Sequence, residues 1–214
     1  PVMVYFCNRI AFIIGVDSIG TKILPGLTLL IMLIFNTVII SFSATSVTRE
    51  GNNFYHTKIM PVSIRMQLFV KFTMYNLVSF LANTITIGII ICSKQMSEDG
   101  SFEYVRPLLI YAIVTLLSVG MTLRSMRFDV RKPYFNLNGE GELVSNNANT
   151  TKSIIMGLVL SLIFGIAGMI IPYFIPSIGF ILMFAFLGAA AVLFFIYALL
   201  SYTINLTKTY NKIV

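Results

Sequence analysis

Between Lys152 and Lys208 the chain carries no charged side chain. A stretch of that kind cannot face water throughout, and it is far longer than the about 20 helical residues that cross a hydrocarbon core of about 30 Å. Its middle, "IIPYFIPSIGF", holds Pro172, Pro176 and Gly179. Proline and glycine clusters mark turns, so the run divides into two helices, near residues 153–173 and 178–203. Three further uncharged runs, 23–48, 72–93 and 107–123, are each bounded by Lys or Arg. Residues 1–16 are apolar from the start and supply a sixth run. Residue 1 is Pro, and no basic leader or small-residue cleavage site precedes a mature domain. The expectation is therefore a fragment that opens partway through a span.

Composition agrees with this pattern. The 214 residues are 57% hydrophobic and 11% charged, against about a quarter charged in ordinary soluble domains. The apolar runs are continuous and do not alternate, which fits helices and not a membrane β-barrel. The fold class expected is all-α: a polytopic membrane bundle of six transmembrane helices, residues 1–214 forming a single transmembrane domain whose first helix is truncated.

The cations set the orientation. Placing the 49–71 connection inside the cell puts Arg49, Lys58, Arg65, Lys71, Arg124, Arg127, Arg131, Lys132, Lys152, Lys208 and Lys212 on that side. Lys22, Lys94 and Arg106 fall on the other, with Arg9 left aside. This asymmetry follows the positive-inside rule. It predicts a multi-pass protein of the cell membrane with both termini cytoplasmic, and a second cytoplasmic loop at 124–152. The net charge of +7 is then explained by loops beside anionic headgroups, not by nucleic acid.

The insert "REGNNFYHTKIMPVS", from Arg49 to Ser63, lies on the inner side. Gly51 and Asn52 can end one helix or open another. Phe54, Tyr55, Ile59 and Met60 can form a short apolar face, with Asn53, His56 and Lys58 pointing elsewhere. Pro61 stops this helix and suits the first turn of the next. Residues 49–66 are therefore expected to form a short helix on the membrane face and an elbow into the third span. Such a helix either anchors the bundle at the interface or docks on a cytoplasmic partner.

The passage "SVTREGNNFYHTKIMPVSIRMQLFVKF" resembles the permease subunits of ABC-2 type ATP-binding-cassette transporters, in particular a bacterial group of large two-halved permeases. The matching residues are Arg49, Glu50, Gly51, Asn53, Lys58, Pro61, Val62, Ser63 and Lys71. A second passage, "FDVRKPYFNLNGEGELVSNNANT", is similar to that group's other cytoplasmic loop through Asp129, Pro133, Asn136, Glu142 and Asn149. The tryptophan usual in that loop is missing. The resemblance implies six helices, a coupling helix between the second and third spans, and docking of Glu50, Gly51, Asn53, Phe54, Tyr55, Lys58 and Pro61 on a separate ATP-binding-cassette subunit. ATP and Mg would belong to that partner; this chain would carry no cofactor and no catalytic residue. A second permease half, or a copy of this chain, would complete the pathway through a bacterial inner membrane, with export the usual direction. A membrane scaffold or sensor that recruits a cytoplasmic protein without transport is the alternative.

Other features are read more plainly. Asn76, Ser79, Asn83 and Thr86 share one face of the third span; they either line a path or hydrogen-bond between helices, the commoner use of such residues in a bilayer. Asn36, Thr37, Ser41, Ser43 and Thr45 pose the same choice on the second span. Gly157, Ser161 and Gly165 form a small-residue stripe suited to close helix contact within the bundle. Cys7 and Cys92 are read as small buried hydrophobes. "GVDSIGTK" lacks the Gly-Lys-Ser/Thr order of a phosphate loop, and "NLNGEGE" fails the ligand spacing of a calcium loop. Every acidic residue except Asp17 is expected in a loop, so an intramembrane acid for proton coupling is not anticipated.

Overall fold

The structure is a computed structural model, and it describes residues 1–14, 19–53, 59, 61–92, 104–135, 147–175 and 178–210. Among these residues every regular element is helical. Helix α1 spans Val2–Ile14 and α2 spans Ile19–Ser41, continued by two 3₁₀ turns, Phe42–Thr45 and Thr48–Asn53. Helices α3 (Ile64–Cys92), α4 (Val105–Arg131), α5 (Ala148–Phe174) and α6 (Gly179–Tyr210) follow.

Five of these helical segments are long and apolar enough to cross a membrane: Lys22–Gly51, Arg65–Cys92, Val105–Arg131, Ala148–Phe174 and Gly179–Thr203. The opening apolar run does form a helix, but α1 has 13 residues, about 20 Å of rise, short of the about 30 Å hydrocarbon core. It packs on α2 and α3, burying Val4 and leaving Arg9 exposed. The long uncharged run divides as the prolines suggest. Pro172 is accommodated in the last turn of α5, and the Ile175 N–H closes that turn on the Ile171 carbonyl at 3.2 Å. Gly179 then opens α6 where a Cβ would come within 2.8 Å of Pro172 Cα.

Helix α2 is the hub of the bundle, touching α1, α3, α4 and α5. Its longest contact, with α5, is built from small residues. A Cβ on Gly26 would lie 2.4 Å from the Gly168 backbone, one on Gly165 2.4 Å from Leu30, and one on Gly157 2.4 Å from Thr37. The small-residue stripe of α5 is thus an internal seam in which backbones approach closely enough for van der Waals packing to replace the hydrophobic effect that lipid does not supply. Leu29, Leu33, Val114, Leu117, Met183, Leu187 and Ala191 fill the interior around it. Helices α2 and α4 are the inner ones, 56% buried over their apolar windows, against 28% for α3 and α5 and 22% for α6. The exposed faces of the outer three are rows of apolar side chains such as Phe69, Met74, Leu77, Phe80, Leu81 and Ile85 on α3. Lipid can cover such faces, since the exposed hydroxyls among them, Thr73 and Thr84 on α3 and Thr203 on α6, bond back to carbonyls of their own helices. Cys92, expected inside, is exposed at the end of α3.

Two boundaries differ from the sequence reading. The loop expected at 124–152 is shorter, because α4 continues to Arg131 and α5 starts at Ala148. Arg124 and Arg127 are therefore helical. Asp129 is no loop residue either: it sits in the last turn of α4 with no exposed surface.

Candidate functional site: a buried polar junction around Asp129

The C-terminal ends of α2 and α4 meet the N-terminal ends of α3 and α5 at one end of the bundle. Asp129 is at the centre. Its Oδ2 accepts the backbone N–H of Thr48 at 3.0 Å and that of Val47. Its Oδ1 accepts the Thr48 hydroxyl and, at 3.5 Å, the Asn149 amide. A carboxylate from α4 thus caps, from outside, the 3₁₀ turn Thr48–Asn53, satisfying amides that have no partner within the turn. A negative charge on this carboxylate would lie against the turn's amide end, where it is favoured.

The donors are themselves held. Thr48 Oγ1 accepts the Tyr134 N–H at 3.1 Å, so one hydroxyl ties the end of α2 to α4 and to the chain leaving it. Asn149 also donates to the Lys132 carbonyl at 2.7 Å. Asn147 caps α5, accepting the Asn149 N–H at 2.9 Å, and the Ser125 and Ser153 hydroxyls join α4 to α5. On the other flank Lys71 of α3 pairs with Glu50 and donates to the Ser46 carbonyl at 2.9 Å. Beneath this layer Val47, Leu68, Met126 and Val130 form a small apolar cluster with Phe72, Phe135 and Tyr202 against it. Four helix ends are thereby fastened to the turn 48–53.

Gly51 has φ +50° and ψ −128°, a conformation that costs little for glycine alone. It bends the chain out of the junction towards the insert. Of the expected docking residues, Glu50 and Gly51 lie in the turn, Asn53 ends it and Pro61 precedes α3; Phe54, Tyr55 and Lys58 lie outside the described residues, as does the body of the expected coupling helix. In the second loop Pro133 follows α4 directly, while Asn136 and Glu142 lie outside the described residues. The sequence reading did not mark Val47 and Thr48, which complete the Asp129 site. Asp129 and Thr48 are far apart in the chain, and no local pattern links them.

The polar face of α3 is resolved into separate uses. The Asn36 carbonyl oxygen on α2 accepts the Ser79 hydroxyl, and Asn36 donates to Asn83 at 2.8 Å and to the Met32 carbonyl at 2.9 Å. Ser79 and Asn83 therefore bind α3 to α2. Thr86 turns back on its own helix, to the Ala82 carbonyl at 2.7 Å, and Asn76 does likewise to Phe72 at 2.9 Å. Asn36, Asn83 and Thr86 also border a cavity of about 350 Å³ between α1, α2 and α3, but its walls are mostly apolar, from Val2, Val4, Met32, Phe35 and Ile39.

Compared with protein-family models, with curated proteins and with solved structures, the chain matches none.

Proposed function

We propose that this chain is the membrane-spanning permease domain of an ABC-2 type ATP-binding-cassette transporter, an exporter whose ATP hydrolysis takes place in a separate cytoplasmic subunit. In this reading the bundle crosses the membrane six times, counting the opening helix, and the 49–66 segment supplies the coupling helix. The observation that carries it is the junction at Asp129. The two passages that resemble this family, around Arg49–Lys71 and Asp129–Asn149, are brought together there although they are distant in sequence. A helix docked on a moving partner needs a firm footing, and the turn that leads to 54–60 has one on α3, α4 and α5. The junction end is the cytoplasmic end by the distribution of Lys and Arg. Closure of the ATP-binding subunits would then press on residues 50–60 and rock the bundle; the chain itself contributes a path and no bond-making chemistry.

The test is a Lys58→Cys variant, co-expressed with a candidate ATP-binding-cassette subunit from the same cell and treated with a short thiol-to-amine crosslinker. The expected result is a crosslinked pair of the two chains, and loss of the chain's stimulation of ATP hydrolysis in Glu50→Ala. Stimulation that is untouched by Glu50→Ala and by Lys58→Ala, with no crosslink, would refute docking through this segment.

A further inference from the structure

The last two turns of α4 present a cationic face that no described carboxylate neutralises. Arg124, Arg127 and Phe128 are half-buried and Arg131 is exposed, while Ser125, Met126, Asp129 and Val130 between them are buried. The outward side of this helix end is therefore three arginines and one ring. Among the described residues the ion pair is Lys71–Glu50, on another helix, and Asp129 is turned inward to Val47 and Thr48. No carboxylate described in the structure meets the three guanidinium groups. Like charges one turn apart on a helix are mutually destabilising.

Arg124 is nevertheless held in a fixed pose. Its Nη1 donates to the Ser201 hydroxyl of α6 at 3.0 Å, and its guanidinium lies 5.0 Å from the centre of the Tyr197 ring and 5.5 Å from that of Phe128. Its Nε is buried without a hydrogen-bond partner. Arg127 and Arg131 have no hydrogen bond or ion pair with any described residue. Depth supplies the second argument. Arg106 and Arg124 bracket the uncharged part of α4 and stand about 27 Å apart along the helix at about 1.5 Å per residue, close to the hydrocarbon thickness of about 30 Å. Arg124 therefore lies at the level of the lipid phosphates, with Arg127 and Arg131 just beyond. Tyr197, more than half exposed, flanks the same place from α6, as amphipathic rings do at this depth.

We infer that Arg124, Arg127 and Arg131, with Tyr197 and Ser201 beside them, form a binding site for the headgroup of an anionic phospholipid. Guanidinium groups present paired N–H donors that match phosphate oxygens. The neighbouring exposed apolar side chains of α6, such as Leu193 and Leu200, suit the acyl chains. Basic clefts between transmembrane helices are general sites for such headgroups. The inference needs only that the helices lie in a bilayer and does not rest on the transport reading.

The experiment is native mass spectrometry of the purified full chain in detergent, given equal amounts of phosphatidylglycerol and phosphatidylcholine with the same acyl chains. A near-surface cation contributes about 1 kcal/mol, so retention of phosphatidylglycerol should exceed that of phosphatidylcholine by at least about fivefold. Arg127→Gln, which removes no hydrogen bond or ion pair with a described residue, should remove most of that preference, and the Arg124→Gln/Arg127→Gln pair should abolish it. Arg65→Gln, at the same end of the bundle on α3, should leave it unchanged. Equal retention of the two lipids overturns the inference, as does full preference in Arg127→Gln. Displacement of the lipid by millimolar glycerol 3-phosphate, or by polyglutamate, would also overturn it, by assigning the site to a soluble phosphate ester or to an acidic protein segment.

Discussion

Replacing Thr48 by valine tests whether the Asp129 junction is what fastens the helix ends. The two side chains have nearly the same shape, but valine has no hydroxyl. Thr48 donates to the Asp129 carboxylate and accepts from the Tyr134 N–H at 3.1 Å, so the substitution removes both bonds at a residue that is 2% exposed. A hydrogen bond to a charged group contributes about 1.5–3 kcal/mol and a neutral one about 1 kcal/mol, giving a loss of about 2.5–4 kcal/mol. For a chain of this size each kcal/mol shifts the midpoint by about 2–4 °C, so the thermal midpoint should fall by about 5–16 °C. Thr48→Ser keeps the hydroxyl and loses one methyl group, about 1 kcal/mol. The assay is the fraction of detergent-purified protein that stays monodisperse on size exclusion after heating, with circular dichroism as the second probe. A Thr48→Val midpoint equal to or above that of Thr48→Ser would refute the reasoning, because the hydroxyl would then contribute nothing.

Two further substitutions examine the packing between helices. Gly26→Val puts atoms where the Gly168 backbone already stands 2.4 Å from the first carbon; since backbone cannot yield as a side-chain tip can, α2 and α5 must separate, and the variant should fail to accumulate as monodisperse protein, whereas Gly88→Ala, with open space around it, should accumulate normally. Asn36→Leu strands the Ser79 hydroxyl and the Asn83 amide and should lower stability by about 1–3 kcal/mol, while adding Asn83→Leu and Ser79→Ala should recover part of that loss, because removing all partners costs less than leaving some unpaired. A triple variant less stable than the single one by thermal melting would show that the amides do more than pair with each other.

Five spans were legible because a bilayer imposes a length on uncharged runs, and Pro172 marks the end of α5 without help from tertiary structure; the cation after 107–123 does not mark the end of α4, which continues to Arg131. The small residues at 157, 161 and 165 announced a close contact, and only the partner was hidden: Thr37, Leu30 and, one turn further, Gly26 with Gly168. Asn36, Ser79 and Asn83 were legible as polar residues in a membrane but not as one network, since the pairing crosses two helices. Asp129 was misread for a physical reason. A carboxylate next to Arg131, Lys132 and Pro133 has the local signature of a solvated loop, and the groups that stabilise its charge are backbone amides of Val47 and Thr48, which carry no side-chain signal. The opening helix was legible as a short one: residues 1–16 read as part of a span, and α1 runs Val2–Ile14; residues 15–18, which follow it, are outside the described residues.

The two kinds of contact made by α2 constrain how the bundle could move if it transports. Along 26–37 it is locked to α5 by backbone against backbone at Gly26–Gly168 and by the Leu30 and Thr37 side chains seated on Gly165 and Gly157, an arrangement with little slack to slide or tilt without clash. At its end it is fastened by Asp129 to α4 and by Lys71 to α3, through hydrogen bonds that can break and re-form at one layer. A push on residues 50–53 therefore reaches α2 and α5 as one rigid pair. Helix α3 is joined to that pair by the Asn36–Ser79–Asn83 network and the Lys71 clasp, and packs more extensively on α4, with Phe80 and Thr84 against Tyr111; α6 touches α4, with Gly120 against Phe194, more than it touches α5. In the proposed transporter the opening of a path would then separate α3 from α2, or α4 and α6 from α2 and α5, and never α2 from α5.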